Sequence, residues 1–305
     1  MSVELRPPRL EDAAEISRMS GEFSRATGAD VLSPTEAETW LGSPSLDLER
    51  DVRVAVAGEE IVGFADVFDP AGAGEVFWCD VRADPAHPEA WAQLLDFVEG
   101  RGWERAAPGA KITVSCPEHA EALREALESR SWAFERFSLR MVAELGDGLP
   151  EPEWPEGIEV RAFRPDEDAR AVYELQQEAF SDLDNFAPLT LEVWEHWAFA
   201  KPFDPDFWFL SQDGTELQGI SLCYPEHGGD RELGWVAILA VRRSWRGRGL
   251  GLALLRHSLR ELHRRGLKRV GLGVDAENAT GAVRLYEHAG MQVERRRLQY
   301  VRHAP

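Results

Sequence analysis

The sequence predicts a mixed α/β protein built as two tandem, related domains. Three observations carry this expectation. An apolar run at 235–241 leads through the hexapeptide Arg246-Gly247-Arg248-Gly249-Leu250-Gly251 into a leucine-rich helical stretch, which is the order strand, loop, helix. A glycine-, proline- and acid-rich break, GDGLPEPEWPEG at 146–157, removes all periodicity. On either side of it the chain begins alike, Val3-Glu4-Leu5-Arg6 with Arg9 and Ile158-Glu159-Val160-Arg161 with Arg164, offset by 155 residues as an internal duplication would be.

We therefore expect domains at 1–145 and 158–305, joined by a linker at 146–157. In the second domain, 158–163 alternates as a strand and leads into helices at 167–180 and 190–199. Strands follow at 207–212 and 218–224, then a long one at 232–241. The helix at 249–266 is the best marked, because Leu252, Leu255, Leu259 and Leu262 recur at three- and four-residue steps while Arg256, Arg260 and Arg264 fall on the other side. A strand at 269–274, a helix at 279–289 and a strand at 292–302 complete the pattern.

Composition narrows the class. With 305 residues, 44% hydrophobic and 29% charged, the chain suits a folded soluble protein with two cores. No charge-free apolar stretch approaches the ~20 residues that span a bilayer, and the acidic start MSVELRPPRLEDAAE lacks the apolar run of a signal peptide, so a cytoplasmic enzyme is expected. A formal charge of −20 argues against nucleic acid as a partner. The charge is uneven: residues 1–150 carry 14 Lys and Arg against 29 Asp and Glu, whereas 151–305 carry 20 against 25, so anions are better tolerated in the second half. Cys79, Cys116 and Cys223 are far apart and show no metal-ligand spacing, so reduced, buried thiols and no metal site are expected.

The hexapeptide reads as a pyrophosphate cradle. Glycines on alternate positions let main-chain N–H groups approach an anion without Cβ atoms in the way, and the following helix adds its unsatisfied first-turn donors. A dinucleotide fingerprint would need a third glycine at Leu252, and a nucleoside-triphosphate loop would need Lys-Ser or Lys-Thr. Neither is present. The segment resembles the Arg/Gln-x-x-Gly-x-Gly/Ala signature of the GNAT superfamily of acetyl-coenzyme A dependent N-acetyltransferases. A second signature follows at the family's distance: Val274-Asp275-Ala276-Glu277-Asn278, Ala282, and Leu285-Tyr286-Glu287-His288-Ala289-Gly290-Met291.

That resemblance is strong over 157–302 and weak over 3–143. It implies two GNAT domains, each a twisted mixed sheet flanked by helices. It further implies that the main chain of Leu239, Ala240 and Val241 pairs with the pantetheine arm of acetyl-CoA. Main-chain donors from Arg246, Gly247, Arg248, Gly249, Leu250 and Gly251 would hold the pyrophosphate, and Asn278 would bond the pantetheine or cysteamine part, or else cap the next helix. Tyr286 falls where the family places the acid that protonates the departing thiolate. Many relatives carry a glutamate base eleven positions before the motif, and here that position is Trp235. Glu232 is the candidate base on the same strand; Asp182, Asp184 and Glu195 are further carboxylates near the acceptor side.

Sliding the halves by 160 residues places Val81 on Val241 and Leu94-Leu95 on Leu254-Leu255. The loop then falls on Ala86-His87-Pro88-Glu89-Ala90-Trp91, with Glu89 for Gly249 and Trp91 for Gly251; at an offset of 159, Leu127 takes the place of Tyr286. The first domain is expected to keep the fold and to have lost coenzyme binding and catalysis. Aromatics at 180–208, Trp194 and Trp197 among them, would either line an acceptor pocket or, as their spacing suits, form core. His196, His227, His257, His263 and His288 share no ligand pattern and read as surface or cap residues. The expected activity is acetyl transfer to a small-molecule or peptide amine, for which a cationic acceptor fits the local acids. The alternative is a non-catalytic acyl-CoA-binding or regulatory protein.

Overall fold

The computed structural model describes residues 2–183, 186–278 and 280–304. Asp184 and Ala279, the first residue of the helix expected at 279–289, lie outside them. The chain forms two compact units, Met1–Ser138 with Arg296–Pro305, and Leu139–Arg295. The segment at 146–157, read above as a linker, belongs to the second unit.

In the first unit the order is β1 (Val3–Arg6), α1 (Ala13–Thr27), α2 (Pro34–Leu41), α3 (Leu48–Asp51), β2 (Val52–Ala57), β3 (Glu60–Asp66), β4 (Val76–Cys79), β5 (Val81–Ala83), α4 (Pro88–Arg105), β6 (Lys111–Pro117) and α5 (Glu121–Ser129). Strands pair as β1-β2-β3-β5, all antiparallel, and β4 runs parallel to β6. Next come β7 (Ala133–Glu144), which passes into the second unit, and then β8 (Ile158–Ala162), α6 (Pro165–Phe180), α7 (Leu191–Ala198), β9 (Trp208–Asp213), β10 (Glu216–Tyr224), β11 (Leu233–Val241), α8 (Leu250–Arg264), β12 (Arg269–Asp275), α9 (Ala282–His288) and β13 (Gln292–His303). Residues 297–303 of β13 return to the first unit, antiparallel to β6. The second unit's sheet runs β12-β11-β10-β9-β8.

The two units repeat one plan down to single residues. Asp12 accepts both arms of the Arg6 guanidinium (2.7 and 2.9 Å) and the N–H of Arg9 (2.7 Å). Asp168 does the same for Arg161 (2.6 and 2.8 Å) and for the N–H of Arg164 (2.8 Å). The hairpins β2-β3 and β9-β10 carry the same one-residue bulge, at Val62 and Gln218, each followed by a glycine. A Cβ on Gly63 would meet Leu94 at 3.0 Å, and one on Gly219 would meet Leu254 at 2.7 Å, so the expected match of Leu94 with Leu254 is seen in the packing.

The strand leading to the loop departs from the expected alignment. Gly63 pairs with Ala83 as Gly219 pairs with Val241, so Ala83, not Val81, corresponds to Val241. The 160-residue offset holds for the helix and not for the strand, because the connection differs in length: residues 84–87 join β5 to α4, whereas 242–249 join β11 to α8.

The second unit's core lies between α6, α7 and one sheet face, where Trp208 is fully buried and stacked on Phe199 at 5.8 Å. Trp194 belongs to this core, so its spacing does reflect packing. On the other face α8 buries Leu254, Leu255, Leu259 and Leu262. Its outward side meets the acidic segment at 146–157: Asp147 contacts His263 (3.1 Å), Glu151 pairs with Arg260 (2.5 Å) and Glu153 with Arg256 (2.9 Å). Much of the basic cluster around α8 is thus neutralised locally. All three cysteines are buried and unbridged, and burial pushes the Cys223 thiol up to about 11.

Candidate active site

The site begins with a parting of two strands. Strand β11 pairs with β10 as far as Val241, but its parallel ladder with β12 covers only Leu233, Gly234 and Trp235, opposite Arg269, Val270 and Gly271. A bulge leaves Ala237 without an opposite number on β10 and re-aims the strand where the parting opens. Beyond it the main chain of Leu239–Val241 has an edge to offer an extended ligand.

After β11, a single 3₁₀ turn at Arg243–Trp245 leads into the glycine loop. Gly247 (φ +74°) and Gly249 (φ +84°) sit in the left-handed region, and a Cβ at either would meet open space. What the backbone conformation demands is therefore glycine for φ, and what the open space supplies is room for an anion. Gly249 is the N-cap of α8, so the N–H groups of the first turn have no intrahelical acceptor. The Arg246 side chain turns away, donating to the Ala179 carbonyl (2.7 Å) and to Asp182 (2.8 Å). Asp182 also binds Arg243, and the Arg246 bond first and then Arg243 hold its carboxyl below the usual range. Arg248 lies over the Trp245 ring at 4.8 Å.

The other wall is α9. Asn278 accepts from the Thr280 N–H at 2.9 Å and from the Thr280 hydroxyl, forming a turn ahead of the helix, whose N-cap is Gly281. The helix closes with Gly290 at φ +90°: Met291 N–H donates to the Tyr286 carbonyl (3.0 Å) and Gly290 N–H to that of Glu287 (2.9 Å). This fixes the last turn and with it Tyr286, which is 9% exposed. Burial alone raises its phenol to about 12, and its hydroxyl has no hydrogen-bond partner among the described residues.

These parts enclose one cleft of about 470 Å³. Leu239, Ala240, Val241, Arg246, Gly247, Gly249, Leu250, Gly251, Asn278 and Tyr286 all line it. Arg248 does not, and neither does Glu232. Glu232 is exposed, precedes β11, and uses its carbonyl to accept from Lys268 and Arg269. At about 3.3 Å per strand residue it stands roughly 20 Å from Leu239. Trp235 is covered by His227, stacked at 3.8 Å, and its ring lies against Gly271. Among the described residues no Asp or Glu lines the cleft, and Asp182 is committed to arginines.

Several residues were missed in the sequence. Ala179 and Leu183 form part of the cleft wall, as do Arg284 and His288, beside Phe180 from the aromatics considered for a pocket above. Of these only Ala179 had a readable signal: by the offset of 156 that relates Asp12 to Asp168, it corresponds to Phe23. In the first unit Phe23 and Trp91 are 1% and 3% exposed with rings 5.9 Å apart, filling the volume that Ala179 and Gly251 leave open in the second. His257, expected on the surface, is half-buried between Phe209 (4.8 Å) and Trp154 (5.7 Å), and burial lowers its pKa.

A parted strand edge, a loop that presents N–H groups where Cβ atoms are missing, and a largely apolar cleft bordered by a protonated phenol suit the chemistry of acetyl-CoA. Residues 169–291 match the model of the acetyltransferase (GNAT) family. A mycothiol acetyltransferase from Thermobispora bispora is 38% identical over 274 residues, covering 87% of this chain and 88% of the relative. Among solved structures, a GCN5-related N-acetyltransferase from Sphaerobacter thermophilus superposes with TM-score 0.76 at 29% identity, covering 99% of this chain and 96% of that one. A tandem GNAT protein from the clavulanic acid biosynthesis pathway gives 0.72 at 15% identity over 100% and 99%, a likeness of fold. The chain belongs to the GNAT acetyltransferase family, whose members use acetyl-CoA. Among the described residues no helix is long and apolar enough to cross a membrane.

Proposed function

We propose that this protein transfers an acetyl group from acetyl-CoA to a primary amine of a small molecule by direct attack, with Tyr286 as the acid. Its relatives' name, mycothiol acetyltransferase, favours a small acceptor related to mycothiol. The observation that carries the reading is Tyr286 itself: a buried phenol with no partner among the described residues, on the wall of the cleft that holds the glycine loop.

Bound acetyl-CoA supplies an acetyl thioester and leaves as a thiolate. The chain's part is to hold and move protons around it. The amides from Arg246 to Gly251 fix the pyrophosphate, and Leu239–Val241 lay the pantetheine arm along β11. Tyr286 keeps its proton at every physiological pH, since burial raises it to about 12, and gives it to the sulfur as the C–S bond breaks. An alkyl ammonium with pKa ~10.4 must first lose a proton. Among the described residues no carboxylate stands on the cleft wall, and we assign that proton to water. The first unit takes no part in catalysis, because Phe23 and Trp91 occupy the coenzyme's place.

The test is release of CoA from acetyl-CoA with a panel of small amines. Stimulation by one of them that is lost in Tyr286→Phe supports the reading. Tight acetyl-CoA binding with no stimulated turnover would favour a non-catalytic binder instead.

A further inference from the structure

Among the described residues two guanidinium groups line the cleft, and one of them is already committed. Arg246 is held by Asp182 and by the carbonyl of Ala179. Arg243, its neighbour, is held by Asp182 too, and Arg248 rests on Trp245 outside the lining. The arginines next to the glycines are thus neutralised or turned aside. Arg284 differs. It stands on the first turn of α9, exposed, and its side chain meets no acceptor among the described residues. Its guanidinium folds back over the start of the helix, where a Cβ on Gly281 would lie 3.5 Å from Nη2 and 3.9 Å from Nε.

The coenzyme brings several negative charges to a chain whose formal charge is −20. The amides of the loop and the dipole of α8 offer only partial charges, about half a unit at the helix end. A full, uncompensated cation on the α9 wall is the missing counter-charge, and a guanidinium meets phosphate oxygens in pairs. We propose that Arg284 binds a phosphate of the coenzyme, so that the anion is gripped between the α8 loop and α9. This rests on reading the cleft as the coenzyme seat, as proposed above.

Calorimetric titration of the full chain tests it, with CoA, dephospho-CoA and pantetheine as probes of the wild type, Arg284→Gln and Arg284→Lys. The Gln variant is expected to bind CoA about tenfold more weakly, with a shallower dependence on salt, while Lys recovers part of the loss. Pantetheine, which lacks phosphate, should bind both equally, and the ligand-free melting temperature should stay at the wild-type value. An equal loss with dephospho-CoA assigns the contact to the pyrophosphate, and a loss confined to CoA assigns it to the 3′-phosphate. Unchanged CoA affinity in Arg284→Gln, or an equal loss for pantetheine, overturns the proposal. Wild-type protein that binds no CoA would instead sink the coenzyme reading, and this assignment with it.

Discussion

Leu127 and Tyr286 hold the same place at the end of the same helix in two copies of one plan. Each carbonyl accepts the N–H five residues on, Trp132 at 3.1 Å and Met291 at 3.0 Å, and the residue before that donor takes a positive φ, Ser131 at 63° and Gly290 at 90°. One copy carries a phenol there and the other a fully buried isobutyl group. The two units thus differ at this place by a single side chain and the space in front of it.

Removing the Tyr286 hydroxyl should therefore cost chemistry and little else. Tyr286→Phe is expected to lower kcat about 10²- to 10³-fold, with the KM for acetyl-CoA and the melting temperature nearly unchanged, because the hydroxyl has no partner among the described residues. Steady-state kinetics and a thermal melt check this. The alkaline limb of the pH profile should not reflect Tyr286 below about pH 11, since its phenol titrates near 12.

Gly251→Trp copies the first unit's Trp91 into the second. A Cβ at this position already meets Leu285 at 3.2 Å, so an indole must enter the cleft. CoA binding should fall below detection in titrations, and circular dichroism should show an intact fold, since Trp91 is tolerated on the equivalent helix.

Glu232→Gln should leave kcat/KM within about twofold of wild type, given its exposed position some 20 Å along the strand. A loss of a hundredfold would restore it as the base and overturn the assignment of that proton to water.

Asp168→Ala should destabilise the second unit by about 1–3 kcal/mol, as removing the shared acceptor of a partly buried network does. It removes two bonds of the Arg161 guanidinium, which keeps Gln212 and the Ala162 carbonyl, and leaves the N–H of Arg164 without its acceptor. Chemical denaturation measures it, and a change under about 1 kcal/mol would show that water replaces the carboxylate without cost.

Asp66, fully buried in the first unit, predicts a pH effect on stability. It accepts from Trp40 Nε1 (2.7 Å) and from the Asp80 N–H (2.7 Å), but burial, with Asp80 nearby, raises its carboxyl from 3.8 to about 7. Folded Asp66 keeps its proton while the unfolded chain has lost it, so the contribution is complete below pH 4, falls between pH 4 and 7, and is flat above. The span is on the order of 4 kcal/mol. Unfolding midpoints at pH 5 and pH 7 should show the fall in wild type and a flatter profile in Asp66→Asn.

The sequence by itself determined whatever depends on neighbours along the chain. The period of Leu255, Leu259 and Leu262, the glycines of the loop and the repeated Arg-x-x-Arg starts are local patterns, and each is seen in the structure, whereas Leu252 leaves the apolar row and lines the cleft. Only the tertiary structure decided what depends on partners far apart in the chain. It turned Arg246 back onto Asp182, laid the acidic segment at 146–157 along α8, carried the end of β13 to β6, and set Ala179 and Arg284 on the cleft wall. It also shortened the connection before α4 and so moved the strand register by two residues, which side-by-side sequences cannot show. Periodicity reports which face of an element is apolar, whereas a charge's partner and a void's filling are settled by contacts between elements.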